Sequence, residues 1–224
     1  MIGIIAAMDM EVAALTEQME TTHQLRHGID FYEGKLGGKD IVVMKSGVGK
    51  GNAAMATTIL MELYPIDQII NIGTAGGLKP EQSILDIVIS ERVVQHDVDT
   101  SALDGEEGIG LYFTADEKMI KQACAVLATL QVPTHQGLIA SGDQFIAAEQ
   151  QLAHLMKQFP NALCAEMEAG AIAQVCAHYQ IPFVVLRSLS DIACHPDSHM
   201  DFLEYAETAS KRSAEFCFNY MRMM

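Results

Sequence analysis

Ile181-Pro182-Phe183-Val184-Val185-Leu186-Arg187-Ser188-Leu189-Ser190-Asp191 changes character part-way along, an apolar run giving way to arginine, serine and aspartate. The run reads as a buried strand, and it delivers Ser190 and Asp191 to the strand's C-terminal end, where open α/β sheets place their ligands. Upstream stands Ala165-Glu166-Met167-Glu168-Ala169-Gly170-Ala171-Ile172-Ala173, which reads as a helix begun by two carboxylates, with Glu168 one turn inside. Residues two apart on a helix cannot share a face. One carboxylate is therefore free to turn toward a ligand while the other ties down the backbone or Arg187. Acidic residues in a first turn also complement the helix dipole, and an aspartate after a strand is a common N-cap, so neither feature alone defines a chemistry.

Around this stretch the chain has the composition of one globular domain spanning 1–224: 224 residues, 50% hydrophobic and 19% charged. The formal charge of −15 argues against nucleic acid or an anionic membrane surface as a partner, because both require a basic field. Five cysteines without a CxxC pair, most among apolar neighbours, fit a reduced, cytoplasmic protein. Met1-Ile2-Gly3-Ile4-Ile5-Ala6-Ala7 lacks a basic flank and is soon interrupted by Asp9 and Glu11, unlike a signal peptide. No apolar run approaches the ~18 residues of a membrane span.

Taken in order, residues 1–7 predict a strand and Asp9 to Met19 a helix. Phe31–Leu36 and Asp40–Lys45, joined by Gly37-Gly38, predict a β-hairpin. Ser46-Gly47-Val48-Gly49-Lys50-Gly51-Asn52 leads into a helix ending near Tyr64-Pro65, and the strand Gln68–Ile72 opens into a small-residue loop, Gly73-Thr74-Ala75-Gly76-Gly77. Ile84–Ser90 predicts a strand, 97–111 an exposed acidic loop, and Ala115–Leu130 a helix. A strand at Gly137–Ser141, a helix at 147–158 and a strand at Ala162–Ala165 follow, and a helix from His199 to Met221 carries Phe202, Tyr205, Phe216 and Tyr220. The alternation predicts an α/β three-layer sandwich whose central sheet is mixed, since the hairpin adds antiparallel pairs to parallel neighbours.

Single motifs decide little. Gly47-Val48-Gly49-Lys50-Gly51 invites a phosphate-loop reading but has neither the G-K-[ST] ending nor the G-x-G-x-x-G spacing. His96-Asp97-Val98-Asp99 lacks a second cluster to complete a metal shell, and Ser141-Gly142-Asp143 fits a turn better than a nucleophile elbow. The 14 methionines mostly suit flexible core filling.

Six stretches in order carry more. Ile2-Gly3-Ile4-Ile5-Ala6-Ala7-Met8-Asp9-Met10-Glu11-Val12, Lys45-Ser46-Gly47-Val48-Gly49-Lys50, Asn71-Ile72-Gly73-Thr74-Ala75-Gly76-Gly77, Ala140-Ser141-Gly142-Asp143, Ala165-Glu166-Met167-Glu168-Ala169 and Ser188-Leu189-Ser190-Asp191 together resemble the bacterial 5′-methylthioadenosine/S-adenosylhomocysteine nucleosidases. The resemblance runs from residue 1 to the final helix. It implies the nucleoside phosphorylase-like fold, hydrolysis of a purine nucleoside by water, no cofactor or metal, and a homodimer. Position by position it implies Glu11 as the base that activates water and Asp191 as the acid for adenine N7. It puts Glu168 on the ribose hydroxyls, Met167 against the sugar, Arg187 and Glu166 in support, Ser190 beside Asp191 and Thr74 near the attacking water. It puts Phe145 and Ile146 on adenine, with Val48, Met8 and Phe202 lining the 5′ side.

That assignment suits the reaction, which builds positive charge on the ribose and negative charge on the departing purine. It requires an Asp191 whose pKa rises and a Glu11 that stays ionised, so the two carboxyls are expected in opposite environments. A phosphorylase of the same fold is the rival reading; against it, Arg187, directly before Ser188-Leu189-Ser190-Asp191, is the one arginine of five within a recognised motif, so a phosphate clamp looks absent. A silent purine-binding protein would be expected to lack the acid or the base, and Glu11, Glu168 and Asp191 are all present. The chain departs from the family after His96, where Leu103 and Gly105 stand at positions expected to be aromatic, which predicts a looser 5′ pocket.

Overall fold

A strand that is buried along its whole length cannot lie on a surface, and every residue of β10 (Phe183–Ile192), polar ones included, is buried. The computed structural model describes residues 1–193 and 198–224, with backbone alone at 198–200. β10 runs parallel to β5 (Gln68–Gly77), β5 parallel to β1 (Ile2–Ala6), and β1 parallel to β4 (Lys39–Lys45). These four strands lie side by side, so their C-terminal ends share one edge. β4 continues antiparallel through β3 (Ile29–Leu36) to β2 (Thr21–Arg26), which completes the hairpin side.

On its other flank β10 pairs antiparallel with β6 (Ile87–Asp99), β6 parallel with β8 (Thr134–Ser141), and β8 parallel with β9 (Ala162–Glu166). β9 then returns to β5 through Gly76–Ala165 and Gly77–Cys164. Strands β5, β10, β6, β8 and β9 thus close into a circuit, and β7 (Ile109–Thr114) adds to β6 alone. The closure sets Ser141 beside Glu166, Ala165 beside Gly76 and Asp191 beside Gly76, so residues distant in sequence form one row.

Helices flank this mixed sheet. α1 (Asp9–Thr16) packs on α7 (Ser198–Met223), which also covers β5, β10 and α4 (Glu117–Leu130), while α2 (Lys50–Leu63) packs on α6 (Ala169–Tyr179). The main apolar core lies between these layers, and a smaller one around Val94, Ala140, Ile146 and Phe159 lies under α5 (Glu149–Gln158). In α7, Phe216 and Tyr220 are fully buried and Tyr220 Oη donates to Gln122. No helix among the described residues is long and apolar enough to cross a membrane.

Two expectations change and one strand is added. Gly73–Gly77 is not a loop but the second half of β5, because the neighbouring strand carries side chains that need the room those glycines leave. The 97–111 segment is ordered by local polar bonds: β6 runs to Asp99, whose carboxylate accepts the Ser101 amide, then α3 (Ser101–Asp104) and a 3-10 turn (Gly105–Gly108) lead into β7. Thr100 clamps it, its amide donating to Gly108 O at 2.8 Å and its hydroxyl to Asp104. β2, with the polar sequence TTHQLR, is an edge strand carried by its pairing with β3.

Phe31 ranks among the largest fully buried side chains and packs against Tyr64 at 5.4 Å between centroids. Phe31→Ala is expected to cost about 3–5 kcal/mol, lowering the melting temperature by roughly 10 °C; a fall within ~2 °C would show that this layer repacks freely.

Candidate active site

The strand ends surround a cleft of about 710 Å³, counting its open mouth, which is within the size range of small-molecule sites. Of the residues singled out from the sequence, all but Arg187 line it. Arg187 lies behind the wall, 1% exposed.

Glu11 is in the first turn of α1, and its carboxylate reaches back over the helix start. Oε2 accepts the amides of Ala7 at 2.8 Å and Met8 at 3.0 Å, and Oε1 accepts the amide of Thr74 at 3.0 Å. One side chain therefore ties the end of β1 to the middle of β5. Burial raises the Glu11 pKa above the usual carboxylate range, opposed by the charge of Arg187 and by these three amides.

The turn between β9 and α6 places the other carboxylates. α6 begins only at Ala169, so Glu166 ends the strand and Glu168 is the N-cap residue, not a residue one turn inside the helix. The reason lies in Glu166: its carboxylate accepts the amides of Glu168 and Ala169 and so caps α6 from the strand. This frees the Glu168 side chain, whose Oε1 accepts the Gly49 amide at 2.9 Å. Arg187 Nη2 donates to Glu166 and to Asn71 Oδ1 and lies 3.8 Å from Glu168 Oε2. Burial alone would lower the Arg187 pKa; Glu166, Glu168 and Glu11 raise it. Burial and the neighbouring Glu166 push Glu168 up to about 7.

Asp191 reaches the cleft through an irregularity in β10. The register slips between Leu189 and Asp191 while β5 advances by one residue, leaving Ser190 as the extra residue of a bulge. A regular strand would turn Ser190 and Asp191 to opposite faces; the bulge lets both line the cleft. Ser190 Oγ donates to Asp191 Oδ1 at 2.8 Å, and Oδ2 is buried with no partner among the described residues. Burial drives Asp191 up to about 6 against the Ser190 bond, with Asp201 adding to the rise. The two carboxyls are thus alike in burial and differ in their donors: three amides hold Glu11, one hydroxyl meets Asp191.

Glycines make this packing possible. A Cβ at Gly73 would come within 2.1 Å of Arg187 Nη1, and one at Gly76 within 3.0 Å of Asp191 Oδ2. Glycine inside a strand is a sign of such close approach, and it was the available signal for this stretch. Asn71, which orients Arg187, and Ser141, whose hydroxyl accepts the Gly170 amide, were not singled out, since their partners lie far along the chain. Gln144, Ala75 and Ala193 also line the cleft. Phe145 meets Phe202 edge-on at 5.6 Å at one end of it. Leu103 is 87% exposed and does not reach it within this chain. Among the described residues no group of three His, Cys, Asp or Glu side chains could hold a metal ion.

Fold and cleft define a member of the phosphorylase superfamily, whose family model matches residues 1–222. The 5′-methylthioadenosine/S-adenosylhomocysteine nucleosidase of Oceanobacillus iheyensis is 42% identical over 99% of this chain and 98% of its own. That of Shewanella halifaxensis is 46% identical over 95% of each. The crystal structure of the Neisseria meningitidis nucleosidase in complex with methylthio-immucillin-A superposes with a TM-score of 0.94 at 34% identity, covering 100% of this chain and 99% of that one. The chain belongs to the 5′-methylthioadenosine/S-adenosylhomocysteine nucleosidase family.

Arg187→Met would leave three buried carboxylates facing one another without their cation. Removing one partner of a buried ion pair costs about 3–5 kcal/mol. Deprived of Arg187, Glu11 and Glu168, whose folded-state pKa values burial already raises, are raised further, and stability is lost as pH rises through those values. Urea melts of the variant should show a larger loss at pH 8 than at pH 5, and an equal loss at both would contradict this account of the cluster.

Proposed function

We propose that this protein, as a single nucleosidase domain, hydrolyses the N-glycosidic bond of 5′-methylthioadenosine and S-adenosylhomocysteine, and of 5′-deoxyadenosine, releasing adenine and the ribose product with its 5′ substituent. The observation that carries the reading is the pair of carboxyls on one cleft: Asp191, buried with a free oxygen and a pKa of about 6, and Glu11, held by three amides.

In this reading Asp191 gives its proton to adenine N7 as the bond between the anomeric carbon and N9 breaks, and the bonding electrons leave with the purine. Glu168 takes the ribose hydroxyls and its charge opposes that growing on the sugar. Glu11 removes a proton from water, which attacks the anomeric carbon, with Thr74 beside it. Met167 packs on the sugar, Phe145 and Ile146 on adenine, and Met8, Val48 and Phe202 on the 5′ substituent. Ser190 orients Asp191, while Arg187 and Glu166 fix Glu168. No cofactor enters these steps.

Water is favoured over phosphate because five amides at the strand ends and the start of α2 are already taken by carboxylates. Those of Ala7, Met8 and Thr74 face Glu11, and those of Gly49 and Lys50 at the start of α2 face Glu168 and Asp143. We also propose a cytoplasmic homodimer, with nucleoside and water as the only small molecules required. The formal charge of −15 supports the absence of nucleic acid among its partners.

Adenine release from 5′-methylthioadenosine, followed with and without inorganic phosphate, is expected to proceed equally in both; a strict phosphate requirement would make the protein a phosphorylase. Asp191→Asn and Glu11→Gln should each lower kcat by about a hundredfold or more while adenine still binds. Near wild-type turnover in either variant would remove that residue from its role. Because the free protein must carry a proton on Asp191, kcat/KM should fall as pH rises through about 6. A profile flat from pH 5 to 8 would mean that another group, or none, supplies the proton.

A further inference from the structure

Asp97 does not line the cleft, yet it joins two segments that contribute lining residues to it. Its Oδ1 accepts Lys50 Nζ and its Oδ2 accepts the Asp143 amide at 2.9 Å. Asp143 in turn accepts the Lys50 amide at 2.7 Å. The bonds form a closed ring through Lys50, Asp97 and Asp143. Lys50 begins α2 immediately after Gly49, whose amide holds Glu168, and Val48 before it lines the cleft. Asp143 begins the segment that carries Gln144, Phe145 and Ile146 into the cleft.

The ring is braced on both sides. Lys50 Nζ also donates to Gln95 Oε1 at 3.3 Å, and Gln95 Nε2 donates to Gly170 O at 3.1 Å and to Gln174 on α6. Next to Asp97, His96 is wedged against Gly142, where a Cβ would come within 2.3 Å of its Nε2. Burial lowers the His96 pKa, so the imidazole is a neutral packing group. Lys50 and Asp97 are 15% and 28% exposed at their side chains, enough enclosure for the pair to be geometrically defined. The one cation at the start of α2 is thereby committed to Asp97 and faces no ligand.

We propose that Asp97, acting with Lys50, is a positioning residue that sets the distance between the adenine wall at 144–146 and the ribose wall at Val48 and Glu168. This deepens the nucleosidase reading and rests on it. Losing the ring frees the 144–146 wall, whose contacts with adenine are made in the bound and transition states alike, while Glu168 stays beside Arg187, so KM rises more than kcat falls. The acid and base hang on β10 and α1, outside the ring.

The experiment compares Asp97→Asn, Lys50→Met and their double variant with the unaltered protein, reading KM and kcat for 5′-methylthioadenosine, the dissociation constant of adenine, and the melting temperature. Each single change is expected to raise KM and the adenine dissociation constant by about tenfold with kcat within about threefold. The double should be no worse than the worse single, because both break one ring. Lys50→Arg should restore most of the affinity. Unchanged KM, multiplicative effects in the double, or kcat lost in step with KM and melting temperature would each overturn the assignment. Should Asp97→Asn fail to fold, Lys50→Met, which keeps the apolar stem, carries the same expectation and the same refutation. An unaltered protein that binds adenine but releases none from the nucleoside would sink the nucleosidase reading instead, and the adenine titrations would still judge the ring.

Discussion

A guanidinium in the protein interior is tolerable only among anions, and the buried Arg187 organises the ligand end of this sheet for that reason. Its Nη2 draws Glu166 from β9 and Asn71 from β5, with Glu168 just beyond, and Glu11 on α1 contributes to the same field. Three elements remote in sequence, β5, β9 and α1, thus meet around one positive centre. Burial, and then the neighbouring Glu166, raise the Glu168 pKa against the charge of Arg187.

Placing those groups costs regularity elsewhere. β5 gives up side chains at Gly73 and Gly76 so that Arg187 and Asp191 can lie across it, and β10 gives up its even pleat at Ser190 so that two successive polar residues face the cleft. Both departures act on β5 and β10, the pair with the longest run of parallel register in the fold. A bulge is affordable there because the ladder is secure on either side of it.

How much could be read beforehand follows from how local each signal is. The apolar run before Arg187 announced β10, and Asp191 was expected at its ligand end, because burial on both faces leaves a continuous hydrophobic stretch. Glu168 was placed a turn too deep because the cap of α6 comes from Glu166 inside a strand, a bond that spacing does not encode. Gly73–Gly77 looked like punctuation when the glycines were making room for side chains more than a hundred positions away. The 97–111 segment looked like solvated loop since its order depends on Thr100 bonding to both Asp104 and Gly108. Arg187's link to Asn71 and the ring through Asp97 are invisible to any reading that looks only along the chain.

The closed circuit of β5, β10, β6, β8 and β9 also bears on how the chain is made. Synthesis proceeds from the N-terminus, so β1, β4 and β5 are available to pair with one another early, while β10, the other parallel neighbour of β5, comes almost last. Until then the Ile69–Ile72 stretch of β5 presents an apolar edge with unsatisfied amides, the kind of edge that recruits foreign strands. Until β10 is made that edge stays open, and the element that covers it is the one that brings Asp191.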